Sequence, residues 1–90
     1  MELNFTKDGN AYVAEFEASG DFNVHIETAE ECTLNVFQRT GSSGAFAQVE
    51  SVGLRAFDRV KDVDFSGSVY PKTIQIRLVV NPSVATVTFA

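Results

Sequence analysis

Thr73-Ile74-Gln75-Ile76-Arg77-Leu78-Val79-Val80 decides the fold. Ile74, Ile76, Leu78 and Val80 alternate with Thr73, Gln75, Arg77 and Val79, the period of two expected of a β-strand with one face buried. The same rhythm recurs outward in both directions. Downstream, Asn81-Pro82-Ser83 turns the chain and Ala85, Val87 and Phe89 run on as a last strand. Upstream, Phe22, Val24 and Ile26 point one way while Asn23, His25 and Glu27 point the other. Cys32, Leu34 and Val36 face inward in the following stretch, with Thr33, Asn35, Phe37 and Arg39 outward.

The remaining segments follow suit. Leu3 and Phe5 alternate with polar residues up to Asp8-Gly9, a pair that accepts positive φ in a tight hairpin turn. Tyr12, Ala14, Phe16 and Ala18 then share one face, and Ser19-Gly20-Asp21 breaks the strand. Gly41-Ser42-Ser43-Gly44 reads as a turn and residues 45–52 as a less decided strand. Leu54, Phe57, Val60 and Val63 recur every three residues, which fits a short helix or turn, whereas Phe57, Val63 and Phe65 also fit a strand end. The favoured reading is an irregular connection into a strand at 61–66, followed by punctuation at Gly67-Ser68. Helical periodicity never extends beyond three turns, which rejects a βαβ architecture. The expectation is an all-β chain: an antiparallel β-sandwich, Ig-like or jelly-roll-like, of about seven to eight short strands, with a small barrel as the alternative.

At 90 residues and 9.8 kDa the chain is one domain, 1–90. A fold of this mass exposes ~5,200 Å² against ~14,200 Å² unfolded, so the core is real but thin. Lys+Arg is 7 and Asp+Glu 12, a formal charge of −5, and no basic cluster offers the field that nucleic-acid binding requires. The charge is uneven: residues 1–31 hold eight acids and one base, residues 32–90 four acids and six bases. Ordinary surface scatter explains this; the sharper reading is an acidic side that meets the basic side of a neighbour. Apolar runs stay short of the ~20 residues that span a bilayer. Met1-Glu2-Leu3-Asn4-Phe5 shows no secretory signal, so the expectation is cytoplasmic synthesis of a complete small product.

Chemistry-bearing residues are sparse. Cys32 is the single cysteine, in phase with Leu34 and Val36 as a small buried hydrophobe, and is not expected to be a nucleophile. His25 is the single histidine and lies on a polar strand face; zinc sites need three or four close ligands. Asp58, Asp62 and Asp64 fall close together, but Arg59 and Lys61 lie among them and the spacing is not that of a calcium loop, so a solvated, internally paired loop is expected. Asn4-Phe5-Thr6 matches a glycosylation sequon by coincidence, and Tyr70-Pro71 is expected to be trans. The glycines build no phosphate loop. The expectation is therefore a non-enzymatic protein with no metal and no cofactor.

Phe37 is the exception to the pattern, an aromatic on an outward face. If strands 22–28 and 32–40 pair as a hairpin, then Asn23, His25, Asn35, Phe37 and Arg39 share one outer face, a candidate interface. The competing reading puts Phe37 beneath residues 52–65 folded over that sheet. A sugar platform would use similar chemistry, but the chain has no Trp and only two Tyr, so a glycan partner ranks below a protein partner or self-association.

Val69-Tyr70-Pro71-Lys72-Thr73-Ile74-Gln75-Ile76-Arg77, followed by Asn81-Pro82-Ser83-Val84-Ala85, resembles small β-sandwich proteins of tailed bacteriophages, some of which are auxiliary or decorating components of the virion. The resemblance covers the last third of the chain and its short acidic layout, and no diagnostic motif carries over residue by residue. It implies a non-enzymatic structural or assembly protein, virion-associated. The alternative is a small carbohydrate- or protein-binding module.

Overall fold

The computed structural model describes residues 1–40, 44–54, 60–65 and 71–89. Gly41-Ser42-Ser43, residues 55–59 with Phe57 and Asp58, Gly67-Ser68 and the Tyr70–Pro71 bond lie outside the described residues. Among the described residues eight strands run in order: β1 (Thr6–Asp8), β2 (Ala11–Ala18), β3 (Phe22–Glu27), β4 (Cys32–Thr40), β5 (Ala47–Leu54), β6 (Val60–Phe65), β7 (Lys72–Leu78) and β8 (Val84–Phe89). They form a five-stranded sheet, β1-β2-β7-β4-β5, and a three-stranded sheet, β6-β3-β8, with every pairing antiparallel. The fold is thus the expected all-β sandwich.

The N-terminal segment belongs to both sheets. Glu2 bridges Thr86 on β8, with Leu3 N–H donating to Ala85 O at 2.9 Å and Val87 N–H to Met1 O at 2.7 Å. A few residues later the same segment, as β1, pairs with β2. Counted as one strand, it gives the order 1-8-3-6 facing 2-7-4-5, the two interlocked Greek keys of a jelly roll. The β1–β2 turn is Gly9-Asn10, between the paired Asp8 and Ala11. Gly9 has φ 63° and Asn10 does not take a positive φ, so the left-handed position is the first of the two central residues, as in a type II′ hairpin.

Dyad alternation delivers one apolar face per strand, and the two sheets stack those faces together. Val24, Ile26 and Val87 on the small sheet, with Leu34, Val36 and Ile76 on the large one, are completely buried. Phe16, Phe22, Ile74, Leu78 and Ala85 complete the layer, and Leu3 seals it beneath the N-terminal segment. The molecule exposes 5348 Å², close to the ~5,200 Å² expected of its mass.

Two expectations change. In segment 52–65 the strand expected at 61–66 is present as β6 (60–65), in the small sheet, while residues 52–54 finish β5 beside β4, so these described parts do not fold over Phe37. Asp62 and Asp64 therefore stand on a strand, not in a solvated loop. The outward residues of β7 also differ from a wetted face, because Thr73 and Gln75 are buried. β7 is the central strand, and the register places Glu15 and Phe37 on either side of Gln75, Glu17 and Arg39 on either side of Thr73. These flanking side chains cover Thr73 and Gln75 from both sides.

Ile76 sits where this burial is deepest. Ile76→Ala is expected to cost about 2–5 kcal/mol in urea unfolding, against less than ~0.5 kcal/mol for Thr33→Ala on the exposed side of β4.

Candidate functional site

The five residues proposed for one outer face divide between two. β3 and β4 do not pair; they enter opposite sheets. Asn23 and His25 face outward from the small sheet, while Asn35, Phe37 and Arg39 face outward from the large one, on the far side of the sandwich. Alternation alone is satisfied either way, since Val24/Ile26 and Leu34/Val36 are buried whether the strands lie side by side or stacked. The connection, with Thr28 buried and its hydroxyl donating to Glu30 O at 2.7 Å, carries the chain across the core instead of reversing it within a sheet.

On the large sheet most of the polar groups described pair with one another. Gln75 Nε2 donates to Glu15 Oε2 at 3.1 Å, Arg77 Nη2 to Asp8 Oδ2 at 3.1 Å, and Gln48 Nε2 to Asn35 Oδ1 at 3.1 Å. Arg39 reaches Glu15 at 4.0 Å and stacks its guanidinium over Phe46, 4.5 Å from the ring centroid. Its Nε is buried without a hydrogen bond. Phe37, half-buried beside Gln75, belongs to this self-paired surface.

The small sheet carries a denser constellation. The register aligns Asp62, His25 and Thr86 in one row and Asp64, Asn23 and Thr88 in the next. Asn23 Nδ2 donates to Asp64 Oδ1 at 3.0 Å. His25 is held at both ring nitrogens, Nδ1 to Asp62 Oδ1 and Nε2 to Glu27 Oε2, each at 2.9 Å. Only the imidazolium donates from both nitrogens, so this bracket favours the charged form. The hydrogen bond to Glu27, then that to Asp62, raises the His25 pKa above the ordinary value, with burial opposing weakly. The two carboxylates occupy opposite nitrogens and converge on no common point. Among the described residues no group of three His, Cys, Asp or Glu is placed to hold a metal ion.

At one end of this sheet, beside the Asn23–Asp64 pair, lies a recess of about 320 Å³. Phe65, Phe22 and Phe89 stand in one row across β6, β3 and β8 and form its apolar floor. Phe22 and Phe65 stack at 5.0 Å, and Phe16 meets Phe22 and Phe89 edge-on from the opposite sheet at 5.5 and 6.2 Å. Phe89 is 43% exposed. Asp21, Asn23, Asp64 and Thr88 supply the polar rim. Sequence reading missed this recess because its members come from three strands that alternation cannot order. The aromatic heading or ending each strand (Phe22, Phe65, Phe89) was the available signal.

Cys32 is half-buried and packs against the core. Burial pushes its thiol pKa up, partly offset by hydrogen bonds with Thr28 and the Val80 backbone. Its reaction with a neutral disulfide reagent at about pH 8 is expected to be at least ~3-fold slower than that of free cysteine.

For His25 the sign is fixed by the raised folded-state pKa. Its stabilisation is fully present below the unfolded-state value and disappears as pH rises through the folded one. His25→Gln should therefore cost about 0.5–1 kcal/mol at about pH 5.5 and little at about pH 8.5. Urea unfolding at the two pH values checks this, and an NMR titration of the imidazole Cε1–H should show the raised midpoint directly.

No family model, curated protein or solved structure matches the chain.

Proposed function

We propose that the protein is a non-enzymatic structural module that works by docking onto a neighbouring protein. The observation that carries this reading is the asymmetry of its two flanks. One flank is partly covered by the N-terminal segment, which bridges β8 at Thr86 and pairs with Ala11–Val13 of β2. On the other, β5 ends the large sheet and β6 ends the small one, and among the described residues each pairs on one side only. An unpaired strand edge offers a row of backbone donors and acceptors to another chain. Val60, at the start of the β6 edge, is 53% exposed, and it and Val84 flank Glu27 across the outer face. The resemblance of residues 69–85 to phage β-sandwich proteins makes a virion-associated, capsid-decorating role the form of docking we put forward. Jelly rolls serve capsids, lectins and other proteins alike, so the architecture adds only compatibility. No helix among the described residues is long and apolar enough to cross a membrane.

A second reading, a small carbohydrate- or protein-binding module, is favoured by the aromatic recess at the end of the small sheet.

Sedimentation up to ~1 mM, together with co-sedimentation with particles encoded by the same genome, tests the docking reading. Association or co-sedimentation is expected, reduced in Val60→Lys by about fivefold or more. A monomer at every concentration that also fails to co-sediment overturns it.

A further inference from the structure

We propose that the recess bounded by Phe22, Phe65 and Phe89 with Asp21 and Asp64 is a cation pocket that receives an arginine side chain of a partner protein. Its volume, about 320 Å³, is at the small end for ligand sites and suits a single side chain. Its two chemistries coincide only for an organic cation. Phe22 is buried and stacked on Phe65, so Phe89, 43% exposed, supplies most of the accessible aromatic surface, to which a planar, weakly hydrated guanidinium is attracted. The carboxylates of Asp21 and Asp64 supply charge at the mouth, and Asp64 keeps its position through the Asn23 hydrogen bond.

The surroundings reinforce the sign. Asp62 and Glu27 lie further along the same sheet face, and Glu2 pairs opposite Thr86 at its margin. Among the described residues the charged partner of Asp62 and Glu27 there is His25, which loses its charge as pH rises. A neutral sugar would gain nothing from this field. A carboxylate or phosphate ligand would be repelled by it. The molecule itself uses the same motif elsewhere, where the Arg39 guanidinium lies 4.5 Å from the Phe46 centroid with Glu15 nearby. The recess presents the complementary half of such a contact.

This inference rests on the second reading above, a module that holds a protein partner, and is independent of docking along the β5/β6 flank. The test uses the intact chain and N-acetyl-arginine-amide as probe, followed by ¹H–¹⁵N NMR. Saturable shifts are expected at the backbone amides of residues 21–23, 64–65 and 88–89. Affinity should fall about fivefold in Asp64→Asn and weaken further as salt is raised. Phe89→Leu, which keeps the apolar volume but removes the ring, should weaken the probe without unfolding the protein. N-acetyl-leucine-amide and methyl glucoside serve as neutral controls. No shift with the arginine probe, equal shifts with either control, or an unchanged affinity in Asp64→Asn overturns the proposal. Failure here leaves the sedimentation result untouched, so the two readings fall separately.

Discussion

The stacking of two apolar sheet faces is the constraint on which the rest of the molecule depends. Val24, Ile26 and Val87 meet Leu34, Val36 and Ile76 with no solvent between them. Ninety residues bury only about two-thirds of the surface their unfolded chain would expose, so each member of this layer carries a large share of the stability. Polar groups are pushed outward by the same geometry. Every ionisable cluster described sits on an outer face or at a sandwich end, where water screens it and partners can reach it.

The two outer faces consequently have different characters. On the large sheet, side chains of opposite sign meet over a buried central strand, as Arg77 with Asp8 and Arg39 with Glu15 illustrate. On the small sheet, carboxylates from β6 and β3 surround one histidine, leaving an acidic surface that runs into the aromatic recess. The uneven charge along the chain is expressed in space in part by this contrast. Asp62 and Asp64, from the more basic part of the sequence, join Glu27 of the acidic part on the same face.

What could be read from the sequence was the identity of the inward residues, because dyad alternation is a local property. Ile74, Ile76 and Leu78 were assigned correctly, as were Phe22, Val24 and Ile26. The Asp8-Gly9 signal located the hairpin, although the turn is centred one residue later, on Gly9-Asn10. Strand neighbours were not legible. Placing β3 beside β4 satisfies the pattern as well as placing it beside β6 and β8, and only matched registers across the whole sheet distinguish them. That ambiguity split the candidate face: His25 ended with Asp62 and Glu27, Phe37 with Gln75. The acid cluster shows the same limit, since a run of aspartates reads alike in a loop and on a strand.

The jelly-roll order also bears on how the protein is made. β2 finds its main partner in β7, and β3 sits between β6 and β8, so strands β1 to β5 have only the β1–β2 and β4–β5 hairpins to form by themselves. Such remote pairings impose loop-closure entropy before they return any burial. A ribosome-bound nascent chain would thus hold its greasy strands unprotected until β8 has cleared the exit tunnel. Folding should therefore be a late event that waits for β8, open to chaperone capture in the interval.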